Sequence, residues 1–197
     1  MPRITEARRE ARRDQIRAAA LRSFAAKGYQ RTSIADVVTE SGLSAGAIYG
    51  HYADKGELFA AVAQHVLSRR DDEIAAASHE GVPPSPYEIL VLLTGGMARD
   101  LADGRVLVQL WSESTVDPAL RAVVQRVVGS VRGVLGDALR NWFATRPDLA
   151  PDGPDAAAQL LLPVVMGLGQ AFIMQRALLE DFDPDAYLAA AEAVLPR

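Results

Sequence analysis

Apolar residues recur at helical spacing along almost the whole chain, and no stretch shows the two-residue alternation of a strand. From about Glu6 to Lys27, Ile16, Ala20 and Phe24 stand four apart and form one stripe, and Gly28 ends the helix. Ile34, Val37 and Val38 mark a short second helix, capped by Thr32 or Ser33 and stopped by Gly42. Ser44 caps a third, which opens with the small residues Ala45, Gly46 and Ala47. Asp54 and Glu57 box the start of a fourth helix that reaches about Ser78. Its apolar face (Leu58, Phe59, Val62, Val66, Leu67) gives way to charge from Arg69 to Glu73. About 20 residues of helix span roughly 30 Å, so this segment reads as a connecting rod.

Gly81-Val82-Pro83-Pro84-Ser85-Pro86 is a linker, because its prolines forbid helix continuation. Helices then follow from Pro86 to about Leu101, from Arg105 to Thr115, and from Pro118 to about Ala144, with Asp103-Gly104 and Asp117-Pro118 as breaks. The third of these keeps the helical period from Leu120 to Trp142, and the period outweighs the weak helix propensity of its valines. Ala156 to Gln175 carries no charged residue. Such a run meets the length of a membrane span. Pro163, Gly167, Gly169 and three glutamines argue instead for a buried helix, and no membrane is expected. In a small bundle, burial on all sides calls for a second chain. The expected fold is therefore all-α: a three-helix helix-turn-helix head at 1–54, a connecting helix at 55–78, and a larger ligand-binding and dimerisation bundle at 79–197. The homodimer is expected to form through helices at about 154–180 and 184–195.

Composition adds two restrictions. The 197 residues contain no cysteine, which excludes disulfides and thiolate metal sites. The net charge of −4 is unevenly placed: residues 1–31 hold nine Lys/Arg against three Asp/Glu, and the remainder holds twelve against twenty-two. A basic end on an acidic chain suits a polyanionic partner. The bland reading is a solvated face laced by the Glu6–Arg9, Glu10–Arg13 and Asp14–Arg17 pairs, each worth only tenths of a kcal/mol.

A helix, a short turn and a second helix opened by small side chains form the unit that enters the DNA major groove N-terminus first. Thr32-Ser33-Ile34, Gly42 to Tyr49, His51-Tyr52 and Lys55-x-Glu57-Leu58 resemble the N-terminal signature of the TetR family of transcriptional repressors, and Phe24 to Tyr29 fits it too. The resemblance covers about residues 12–60. It departs at Gly50, where a larger residue is usual, and at Tyr52, where phenylalanine is usual. It implies a cytoplasmic, ligand-responsive repressor that dimerises through its last two long helices and contacts DNA with Tyr49. From the residues themselves, Ala45 and Ala47 offer methyls for thymine, and Gly46 allows close backbone approach. Thr32, Ser33, Ser44, His51, Tyr52 and Lys55 suit phosphate contact. For Thr32, Ser33 and Ser44 the competing role is capping, and for Tyr52 it is core packing with only the hydroxyl reaching outward. The recognition helix has no Arg, Asn or Gln, so bidentate base readout is scarce and DNA shape gains weight.

In the second half, Met97, Trp111, Met166, Gln170 and Phe172 combine apolar bulk with a few polar groups, as a pocket for an apolar or aromatic effector requires. Plain core packing is the competing reading for each. No histidine pair has metal-ligand spacing and no phosphate-binding glycine loop or nucleophile motif occurs, so neither metal nor cofactor is expected and an enzyme is disfavoured. The alternative function is a helical sensor or protein-interaction module whose head does not bind DNA specifically.

Overall fold

The computed structural model describes residues 6–77, 81–101 and 104–196, and all regular elements among them are helical. They are α1 (Glu6–Arg31), α2 (Ile34–Ser41), α3 (Ala45–Tyr49), α4 (Lys55–Ala76), α5 (Pro86–Leu101), α6 (Arg105–Ser114), α7 (Pro118–Ala144), a short 3-10 turn (Pro147–Leu149), α8 (Pro154–Leu178) and α9 (Pro184–Val194). The chain forms two compact units, Met1–His65 with Gln109–Val127 and Val66–Val108 with Val128–Arg197, and the division passes through α4, α6 and α7. The sequence placed the end of the head near residue 54. The first unit runs eleven residues further and takes in the end of α6 and the start of α7.

The first unit is built on the stripe read from the sequence. Ile16, Ala19, Ala20 and Phe24 of α1 are buried with Val37, Ile48, Tyr52, Leu58 and Phe59. Phe24, Tyr29 and Phe59 meet pairwise, with ring centroids 5.4–5.8 Å apart. Gly28 breaks α1 at φ 76°, ψ 166°, a backbone that side-chain-bearing residues avoid. The chain thereby turns back to start α2. Ser33 and Asp36 complete a reciprocal capping box, and Gly42, left-handed at φ 69°, closes α2 by donating its N–H to the Val38 carbonyl.

In the second unit α5 packs on α8 and α9. Its core runs from Ile89, Leu90 and Leu93 of α5 through Leu135, Leu139 and Trp142 of α7 to Leu162 and Val165 of α8. Ser85 and Glu88 box the start of α5: the Ser85 N–H donates to Glu88 and the Glu88 N–H to the Ser85 hydroxyl. Gly169 lets Leu93 approach so closely that a Cβ there would lie 3.1 Å from Leu93 Cδ2. The Tyr187 hydroxyl donates to the Leu168 carbonyl at 2.7 Å and ties α9 to α8.

Complete burial of α8 is not met within one chain. Ala158, Leu162, Val165, Gly169, Phe172 and Ile173 are buried, whereas Leu160 is 80% exposed and Val164, Met174 and Leu178 are exposed with it. These four recur at helical spacing and form an apolar stripe facing outward. Among the described residues α8 alone is long and apolar enough to cross a membrane, with mean hydropathy 1.7. Its inner face nonetheless packs as a core helix does.

Candidate nucleic-acid interface

The α2–turn–α3 unit is held by its own caps. Ser44 is extended, and its hydroxyl accepts from the Ala47 N–H at 3.2 Å. Only Ile48 of α3 is buried, and it pins the helix to the head. That anchoring turns the remaining positions outward. Ser44, Ala45 and Gly46 are exposed, Ala47 is partly so, and Tyr49 is 55% exposed. Gly50 caps the end of α3: its N–H donates to Gly46 O at 3.0 Å in the ordinary right-handed conformation.

An open groove of about 990 Å³ runs between this surface and the N-terminal half of α1. Gly42, Leu43, Ser44, Gly46, Ala47, Gly50 and His51 form one wall, and Arg8, Arg9, Ala11, Arg12 and Gln15 form the other. Three arginines therefore face the recognition helix, on residues that the motif reading left out. The signal that could have found them is the helical period. Glu6, Glu10 and Asp14 repeat every four residues on one side of α1, which leaves Arg8 and Arg12 on the opposite side. Burial holds the His51 imidazole below the ordinary histidine value; Arg13, Arg9 and Arg12 push the same way and Glu10 partly offsets them.

Two expected phosphate contacts lie elsewhere. Thr32 is only 1% exposed, and its hydroxyl donates to the Ser23 and Gly28 carbonyls at 3.1 and 2.7 Å, where it satisfies the end of α1. Tyr52 is buried, and its hydroxyl does not reach outward. The ring fills the core under α3, and burial raises the phenol above its ordinary value, opposed by the neighbouring Arg17 guanidinium. Ser33 is exposed, but both its backbone N–H and its hydroxyl are engaged with Asp36 at 2.7 Å.

Residues 16–62 match the family described as bacterial regulatory proteins, tetR family. Residues 89–197, more than half of the chain, match the BetI-type transcriptional repressor C-terminal family. The chain belongs to the TetR family of transcriptional regulators. Over 171 residues this regulator is 27% identical to the HTH-type transcriptional regulator Mb2936c of Mycobacterium bovis, covering 85% of this chain and 82% of that one. Over 82 residues, 42% of each chain, it is 39% identical to the HTH-type transcriptional repressor Rv1474c of Mycobacterium tuberculosis. Its fold is similar to that of the regulator FadR from Bacillus subtilis, solved with stearoyl-CoA, at TM-score 0.65 and 15% identity over 91% of this chain and 94% of that one. The family matches make the protein a transcriptional regulator rather than an enzyme.

Lys55 of the regulator is also directed inward. Its ammonium donates to the Tyr29 and Gln30 carbonyls at 3.0 and 3.2 Å and sits 4.4 Å over the Tyr29 ring. It thus acts as a cation at the C-terminal end of α1. Burial lowers its pKa, and Glu113 opposes that shift.

The residues expected around an effector fall in both units. Trp111 is half-buried and belongs to the unit of the head. Met166 is half-buried against the core of the other unit, and Gln170 is exposed. Phe172 is buried edge-on against Phe182 and Tyr187, at 5.3 and 5.5 Å, so its ring is already enclosed by aromatic neighbours. Met97 lies on α5, but its side chain falls outside the described residues. None of the other four lines the groove of the head or the cleft of about 240 Å³ between α7 and α8, where Arg140 pairs with Asp137 and Asp155.

Proposed function

We propose that this TetR-family regulator is a cytoplasmic homodimeric repressor that binds a palindromic operator and is released by a small apolar or aromatic effector. The observation that carries the DNA reading is the arginine-lined groove beside an outward-facing α3. A duplex would meet Ser44, Ala45, Gly46, Ala47, Tyr49 and His51 from α3 and its flanks. The two heads would read half-sites roughly one helical turn apart, about 34–36 Å. The outward stripe of α8, with exposed Val194 of α9, supports pairing of these two helices with those of a second copy. The effector would bind in the C-terminal bundle, with half-buried Met166 as a candidate contact, and lower operator affinity through a coupling of about 1–3 kcal/mol. FadR, a relative in fold, was solved with an acyl-CoA, which supports an apolar effector class.

The test is fluorescence anisotropy on the DNA upstream of the regulator's own gene and on sequences selected from a random pool, across a salt series. Binding that falls steeply with salt, with a palindromic footprint and a dimer by light scattering, supports the proposal. Tyr49→Ala should weaken binding by roughly tenfold or more at unchanged melting temperature, because more than half of Tyr49 is exposed in the free protein and the ring would meet the DNA. The absence of Arg, Asn and Gln from α3 favours one second reading, a head without sequence preference. A random pool that yields no common sequence would establish that reading instead.

A further inference from the structure

We infer that the N-terminal half of α1 is a second DNA-contacting element, with Arg8 and Arg12 on the phosphate backbone flanking the half-site and Gln15 positioning Arg12. The inference rests on the DNA reading above and extends it to residues that precede the matched family segment at 16–62.

The two sides of α1 differ in a way that an ordinary solvated helix does not require. On one side the acids neutralise the arginines: Glu10 meets Arg13 and Arg17 at 2.7 and 2.6 Å, Asp14 meets Arg17 at 2.6 Å, and Glu6 reaches Arg9 and Arg13 at 3.8 and 3.6 Å. On the other side, among the described residues, no carboxylate pairs with Arg8 or Arg12. Both are exposed, and both line the groove that faces α3. Like charges left together without counter-charges add nothing to folding, whereas a polyanion in the groove supplies the missing partner.

Arg12 is also held in place. Its guanidinium donates to Gln15 Oε1 at 3.2 Å, and Gln15 Nε2 donates to the Ser41 carbonyl at 2.9 Å. Ser41 ends α2 immediately before the turn into α3. Gln15 therefore ties Arg12 to the frame that carries the recognition helix, 26 residues further along the chain. A long side chain oriented before binding loses less rotamer freedom when it meets a phosphate. Gln15 touches no DNA in this scheme, so it is a positioning residue.

The experiment measures anisotropy of the full-length protein on the selected operator, with and without its outer flanking base pairs, at several salt concentrations. Arg8→Ala with Arg12→Ala should weaken binding by roughly tenfold or more and reduce the salt slope by about 0.9 for each phosphate no longer neutralised. The selected core sequence should not change, and removing the flanks should weaken the wild type but not the variant. Gln15→Leu should cost affinity in the wild type and nothing further in an Arg12→Ala background, with the melting temperature followed as a control. Wild-type affinity and slope in the double arginine variant, beside a Tyr49→Ala variant that loses binding, would overturn the inference and leave the DNA reading standing. Failure of every variant to alter binding, or a random pool without a common sequence, would overturn both. Additive losses from Gln15→Leu and Arg12→Ala would remove the positioning role.

Discussion

Among the described residues nothing packs over the groove of the head or the outer face of α8, and the chemistry of the two surfaces is opposite. The groove presents Arg8, Arg9, Arg12 and His51 around an α3 of small residues. The α8 face presents Leu160, Val164, Met174 and Leu178, with Gly167 on the same side. An arginine cluster is satisfied by a polyanion and an apolar stripe by another apolar stripe, so the surfaces point to two kinds of partner. They also respond to salt in opposite directions. Phosphate contacts weaken as counterion release becomes less favourable, whereas apolar burial does not weaken and is strengthened by excluded salts.

The largest effect expected separates these surfaces. Leu160→Glu with Val164→Glu places charges in the stripe and should give a monomer by light scattering. Operator affinity should then fall by about 100-fold or more, because the second half-site no longer benefits from a linked head. The single-head affinity and its salt dependence should remain. An unchanged dimer in this variant would place the interface elsewhere and break the comparison.

The next effects concern the frame behind the groove. Gly28→Val imposes a β-branched side chain on a backbone at φ 76° and drives a Cβ into the Gln109 amide, whose Oε1 lies 2.0 Å from the position it would take. The amide can swing away but the backbone cannot, so the loss should be about 2–3 kcal/mol in a denaturant melt. Lys55→Ala removes the cation from the end of α1 and should cost about 1–2 kcal/mol. Operator affinity, measured well below the melting temperature, should be nearly unaffected. A strong loss of affinity in a Lys55→Ala protein that melts normally would return Lys55 to the DNA-contacting surface.

The comparison also explains what the sequence made legible. The all-helical order, the Ile16–Ala20–Phe24 stripe, a cap at Thr32 or Ser33 and the Gly28 and Gly42 stops could be read because each depends on neighbours within a few positions. The destination of a side chain depends on distant packing, which local spacing does not reveal. Thr32, Tyr52 and Lys55 carry the groups a phosphate needs, but carbonyls and an aromatic core some 4–26 residues away engage them first. Arg8, Arg12 and Gln15 lacked a motif, and only the fold of α1 against the α2–α3 turn places them at the groove. In the C-terminal unit the same limit applied more strongly. Apolar bulk in Met166 and Phe172 reads alike whether it lines a cavity or, as for Phe172, closes an aromatic cluster.

The smallest effect expected concerns His51, which lines the groove with the arginines. In the free protein His51 is held below the ordinary histidine value by burial, then by Arg13, Arg9 and Arg12, with Glu10 opposing. The folded head thus takes up fewer protons there than the unfolded chain, so His51 lowers stability as pH falls through the unfolded histidine value. A duplex in the groove would reverse the sign. Its phosphates would offset the arginines and favour the imidazolium, so the complex would bind more protons than the free head. Operator affinity should therefore tighten a few-fold between pH 8 and pH 6 at constant salt, and His51→Gln should flatten that dependence. Calorimetric titration in buffers of different ionisation enthalpy should register proton uptake by the wild type and a smaller uptake by the variant. If both proteins show the same pH profile and the same uptake, His51 stands outside the field of the bound phosphates, and the charged wall of the groove is confined to α1.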